Sequence, residues 1–129
     1  MKKYLDNVRR IAPLIHNITN YVTANDVANV LLACGASPIM ADEEAEAEEI
    51  TAQCMGLNLN LGTPNQKKIQ TMLKAGKMAN KRKRVVVLDP VGVGAGSFRR
   101  QAAEQLLKEI HFDAVRGNIS EIRVLASLC

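Results

Sequence analysis

The stretch LDPVGVGAGSFRR, residues 88–100, sets an aspartate and a proline ahead of glycines at 92, 94 and 96. Glycine loses backbone entropy on folding and tolerates positive φ, so such a loop suits a chain that turns tightly or passes close to a ligand. Two readings stand side by side. One is a phosphate cradle; the other is a tight strand-to-helix turn with Ser97 as N-cap of the next helix. Ser97 stands where the dinucleotide fingerprint needs its third glycine, and no G-K-[ST] follows, so neither that fingerprint nor a Walker A loop is present. A dinucleotide-dependent oxidoreductase is therefore a distant reading. Three further polar clusters could carry chemistry: HNITN at 16–20, Met40 with Ala41 and Asp42, and RGN at 116–118. In the last of these, NISE also reads as a capping box, with Asn118 as cap and Glu121 reaching back. His16 has no nucleophile near it in sequence to activate, and reads as a satisfied, partly buried imidazole.

These residues need elements to position them. RVVVL at 84–88 is apolar and β-branched without alternation, which predicts a strand buried on both faces of a parallel sheet, with Asp89 at its end. Earlier, the apolar pair Leu14 and Ile15 passes through polar residues into a helix ending near Cys34, with Gly35 as C′. ASPIM predicts the next strand, and Asp42 is expected to cap a helix whose glutamate-rich first turn suits the positive end of the dipole. LNLNLG reads as a strand, although Asn58 and Asn60 are unusual inside one. TPNQKKIQTMLKAGKMAN predicts a helix with Thr63 as N-cap, Pro64 at N1 and Gln66 closing a capping box, its inward face formed by Ile69, Met72, Leu73 and Gly76. A helix over 99–110 carries Ala102, Ala103, Leu106, Leu107 and Ile110 at helical spacing. FDAV is the next short strand, and GNISEIRVLASL opens a further helix.

Strands alternating with helices along the whole chain predict an α/β fold, a mostly parallel sheet flanked by helices on both faces. Ligands in such sheets gather at the carboxyl ends of the strands. Asp89 with its glycines, RGN and Met40-Ala41-Asp42 all fall on that edge, and HNITN is available to join them.

The 129 residues, 47% of them apolar, fit one domain with a core that needs neither disulfides nor metal. No apolar stretch reaches the roughly 20 residues of a membrane span, and MKKYLDNVRR lacks the apolar core of a secretory signal, so no membrane partner and a cytoplasmic location are expected. Cys34, Cys54 and Cys129 form no C-x-x-C pair and read as buried free thiols. The net charge of +4 is uneven, with DEEAEAEE at 42–49 against KRKR at 81–84. A basic run can bind nucleic acid by displacing counterions, but this one has no interleaved aromatics and lies where a helix hands over to a strand. It reads as a solvated helix end, and no nucleic-acid partner is expected.

Taken together, HNITNYVTANDVANVLLACGASPIMA, LNLGT, VVLDPVGVGAGSFRR and FDAVRGNISEI are similar, in order and spacing, to the amino-terminal half of hydroxyethylthiazole kinases, members of the ribokinase-like superfamily. The resemblance runs from about Pro13 to Ala126. It implies a ribokinase-like domain of which residues 1–129 are the amino-terminal half. The activity it implies is ATP- and magnesium-dependent phosphorylation of the hydroxyethyl group of 4-methyl-5-(2-hydroxyethyl)thiazole, a step of thiamine salvage. It also implies a homo-oligomer, a trimer with active sites between subunits. By the same resemblance Met40 contacts the thiazole with Asn17 beside it, Arg116 and Asn118 serve ATP, and Asp89 and Glu121 hold magnesium directly or through water.

That chemistry suits those residue types. Phosphoryl transfer asks the protein to align the alcohol with the γ-phosphoryl group and to neutralise charge around it. Magnesium takes hard oxygen ligands and keeps waters, arginine forks onto phosphate, and a thioether packs on a flat ring. Family members are about twice as long, and their later glycine-rich motif, which forms the anion hole and presents the group that activates the alcohol, has no counterpart after Glu121. Cys129 lacks the flanking glycines and is not given that catalytic role. The chain therefore reads as truncated and incomplete for catalysis, its cut sheet exposing apolar surface that favours association. The alternative is a non-catalytic thiazole-binding or assembly module.

Overall fold

Apolar runs and helical periods resolve into eleven elements in the computed structural model, which describes residues 1–129. They are α1 (Lys2–Ile11), β1 (Leu14–Ile18), α2 (Ala24–Cys34), β2 (Ser37–Met40), α3 (Ala47–Gln53), β3 (Gly56–Asn60), α4 (Gln66–Lys81), β4 (Val85–Asp89), α5 (Ser97–Glu109), β5 (Ala114–Val115) and α6 (Ile119–Ala126). The strands form one sheet in the order β2-β1-β3-β4-β5, every neighbouring pair parallel. No helix is long and apolar enough to cross a membrane. The helix α1, over residues that carry no motif, was not anticipated; Arg9 in it packs against Gly35.

Register decides which face each side chain meets. His16, Leu57 and Val86 lie side by side, as do Ile18, Leu59 and Leu88, and all six are buried. The five apolar ones form the core with Ile69, Met72 and Leu73 of α4 and Ala102, Ala103 and Leu106 of α5. Each such leucine or isoleucine contributes about 1.5–3 kcal/mol by leaving water. On the opposite face stand Ile15, Gly56 and Val85, then Asn17, Asn58 and Val87. There α2 packs on β2, and a groove of about 730 Å³ remains open over β3 and β4. Val85 is 55% exposed, which corrects the expectation of a strand buried on both sides. The residues of β4 suit double burial, but the helices of this chain cover only one side of it.

Several helix ends differ from the sequence pattern. The cap of α4 is Asn65, whose side chain accepts from Lys68 N–H at 2.8 Å; Thr63 instead accepts from the Tyr21 N–H at 3.2 Å. Asparagine caps at least as well as threonine, and from position 65 its carboxamide reaches the third helical N–H. Asp42 does not cap α3, which begins at Ala47; it accepts the Tyr21 hydroxyl at 2.6 Å. Ser97 is the first residue of α5 and Gly96 its cap, and the helix ends at Glu109. Gly35 ends α2 in the left-handed region at φ 93, as its position suggested, and the Asn118–Glu121 capping box opens α6 with both halves made. Of the three thiols only Cys54 is buried, and burial pushes its pKa up; Cys34 is half-buried and Cys129 exposed.

Candidate active site

The strands deliver their last residues to one rim: Ile18, Met40, Asn60, Asp89 and Val115. Asp89 is buried at that rim, and its Oδ2 accepts from Asn60 Nδ2 at 2.9 Å and from Arg116 Nη1 at 2.5 Å. Arg116 is placed there because its backbone N–H extends the β4–β5 ladder to the Leu88 carbonyl at 2.9 Å. Its side chain is 75% exposed, so the rest of the guanidinium fork is free for phosphate oxygens.

The glycine loop is fastened to α6 through Glu121. Oε1 accepts from Gly92 N–H at 3.0 Å and Oε2 from Asn118 N–H at 2.9 Å. Gly92 sits at φ 66, where a Cβ is disfavoured, whereas a Cβ at Gly96 would meet nothing within 4 Å. Only the first of these two is required by backbone conformation. Arg99 holds the loop from the other side, donating to the Val91 carbonyl at 2.9 Å, the Gly62 carbonyl at 2.9 Å and the Leu61 carbonyl.

These groups fit magnesium in chemistry. Both bonds to Asp89 fall on Oδ2, leaving Oδ1 as a hard donor, and the Glu121 oxygens retain lone pairs for water. No group of three or more His, Cys, Asp or Glu side chains could cage a metal. One or two carboxylates with phosphates and water is the arrangement that magnesium prefers. Asn118, expected at ATP, has its carboxamide oxygen committed to the Glu121 N–H at 2.9 Å.

Met40 and Asn17 meet in a smaller cavity of about 200 Å³ at the ends of β2 and β1, walled also by Thr19, Tyr21, Ala24, Ala41 and Asp42. Asn17 is held by the Ile15 carbonyl at 2.9 Å and by Asn58 Nδ2 at 3.2 Å. The Thr19 hydroxyl is buried and has no hydrogen-bond partner. Behind the wall lies Lys68, only 2% exposed, donating to the Thr19 carbonyl at 3.1 Å with its ammonium 3.6 Å from the Tyr21 ring centroid. Burial pushes its pKa down, against the pull of Asp42 at 3.8 Å.

Asp89 and Arg116 thus touch, Glu121 and Asn118 join them through the glycine loop, and Met40 with Asn17 form a neighbouring cavity. Asn60, Lys68 and Arg99 were missed, and Asn20 was singled out only as part of HNITN. Asn60 left one signal, a polar residue inside a strand; a buried lysine within a basic helix leaves none.

The sequence and fold have known relatives. The family model described as the hydroxyethylthiazole kinase family matches residues 5–128. The chain belongs to that family. It is 67% identical over 126 residues to the hydroxyethylthiazole kinase of Clostridium acetobutylicum, covering 98% of this chain and 46% of that protein. With the hydroxyethylthiazole kinase of Desulfovibrio desulfuricans it shares 52% identity over 122 residues, covering 95% of this chain and 43% of the relative. The solved structure of a hydroxyethylthiazole kinase from Pyrococcus horikoshii matches with a TM-score of 0.93 at 42% identity, covering 98% of this chain and 51% of that one. The chain spans about half the length of the hydroxyethylthiazole kinases it matches.

Proposed function

We propose that these residues form the thiazole- and phosphate-contacting part of an ATP-dependent kinase that phosphorylates the hydroxyethyl group of 4-methyl-5-(2-hydroxyethyl)thiazole in thiamine salvage. The observation that supports this is the convergence of Asp89, Arg116 and the Gly92 loop beside the Met40 cavity, in a chain of this family. In this reading Met40 packs on the heterocycle and Asn17 borders it. Arg116 forks onto phosphate oxygens, and Asp89 and Glu121 are the residues that would hold magnesium. Bound magnesium would neutralise charge on the phosphates. The alcohol oxygen bonds to the γ-phosphorus as the β–γ bridge breaks, ADP leaves and the alcohol proton passes to a base. No residue of this chain is assigned as that base. A cytoplasmic location and a trimeric assembly belong to the same proposal.

A thiazole-binding module without transfer is the second reading, which rests on the Met40–Asn17 cavity alone. Calorimetric titration with hydroxyethylthiazole and with magnesium-ATP, beside a phosphorylation assay, separates the two. Turnover supports the kinase, and binding without turnover supports the module. Binding of neither ligand removes both.

A further inference from the structure

The strand β3 ends in a buried asparagine that the phosphate and thiazole assignments leave without a task. Asn60 is 6% exposed, and each heteroatom of its amide is used. Nδ2 donates to Asp89 Oδ2 at 2.9 Å; Oδ1 accepts from Asn20 Nδ2 at 3.0 Å and from Gly62 N–H at 2.8 Å. The orientation is forced, because a carboxylate only accepts and a backbone N–H only donates. Asn20, 7% exposed, continues the chain: its Oδ1 accepts from Thr23 N–H at 2.9 Å and from the Thr23 hydroxyl at 3.1 Å. The series Arg116–Asp89–Asn60–Asn20–Thr23 therefore crosses the rim from β5 to the start of α2. It bridges β3 and β1 at the switch point where strand order reverses, the place where open sheets bind ligands. At its far end it pins the loop whose Thr19, Tyr21 and Ala24 wall the Met40 cavity.

We propose that Asn60 is a positioning residue, aiming Asp89 with one side of its amide and fixing the wall of the heterocycle cavity with the other. This rests on the functional reading above. The primary amide supplies a donor and an acceptor on one rigid plane, so a hydrocarbon breaks both arms and an ionised aspartate breaks one. Partners that orient a ligating group typically matter by about 10–100-fold in affinity.

The test is calorimetric titration of this chain with hydroxyethylthiazole and with magnesium-ATP, for wild type, Asn60→Leu and Asn60→Asp, with circular dichroism and melting curves on each. Asn60→Leu is expected to weaken both ligands by about tenfold or more. Asn60→Asp keeps the acceptor for Asn20 and Gly62, so thiazole binding stays within about twofold. It replaces the donor to Asp89 with a second carboxylate 2.9 Å away; the pair repels or shares one proton, either of which disturbs Asp89 as a metal ligand, so magnesium-ATP weakens by about tenfold. That split is not what a purely structural asparagine would produce. Wild-type thiazole affinity in Asn60→Leu overturns the proposal, as does loss of both ligands in both variants in step with their melting temperatures. A wild-type chain that binds neither ligand overturns the functional reading, and this inference with it.

Discussion

His16 is fully buried between two fixed partners, Thr51 Oγ1 at 2.8 Å from Nδ1 and the Ala41 carbonyl at 2.8 Å from Nε2. A carbonyl only accepts, so Nε2 carries the proton; the Thr51 hydroxyl lies between Nδ1 and the Ala47 carbonyl, to which it donates at 2.7 Å. Burial pushes the imidazole pKa below its ordinary 6.5. The unfolded chain therefore takes up a proton first, and the contribution to stability is present above about pH 6.5 and lost as pH falls through the lowered folded value. Melting temperature measured against pH is expected to drop below about pH 6.5 in wild type and to drop less in His16→Gln. Asp89→Asn keeps the shape of the side chain and removes the charge that faces Arg116 and would hold the metal. Magnesium-ATP affinity by calorimetry is expected to fall about tenfold or more, with the circular dichroism spectrum unchanged.

Among the elements, the ends of the helices separate what residue order can say from what contacts decide. Thr63, Pro64 and Gln66 satisfy a capping-box pattern, yet Asn65 makes the cap bond to Lys68 N–H. Asn65→Ala is expected to lower unfolding free energy by about 1 kcal/mol in urea, and Thr63→Ala by less, since Thr63 caps nothing. Asn118 makes the cap its pattern suggested, and its partner Glu121 also receives the Gly92 N–H. Asn118→Ala should therefore cost about 1 kcal/mol and also loosen the glycine loop, read as faster amide exchange at Gly92. A local pattern names the candidates for a cap; which of two nearby side chains reaches the N–H depends on how loops from elsewhere, here Tyr21, compete for the oxygen.

At the scale of the molecule, the sheet has one face in the core and one over an open groove. Neighbouring residues of β4 therefore tolerate very different substitutions. Val86 is 0% exposed and Val85 is 55% exposed, although both belong to the same apolar run. Val85→Lys is expected to change stability by no more than about 0.5 kcal/mol in urea, as at an ordinary surface site. Val86→Lys would bury an ammonium without a partner, and is expected to unfold the chain.

Periodicity in RVVVL and in the helical segments, with the capping box at Asn118 and the glycine at 35, was enough for the alternating α/β order and for placing Asp89, Arg116 and Met40 at strand ends, because those features depend on neighbours a few residues apart. The four blocks of motif residues also carried the family. Tertiary structure decided the rest: that Oδ2 of Asp89 meets Arg116 and Asn60, that Glu121 reaches Gly92, that Asn20 and Asn60 join across β1 and β3, and that one face of β4 is open. Those contacts link residues 27 to 40 positions apart, and their geometry is set by strand order and register, which no local spacing encodes.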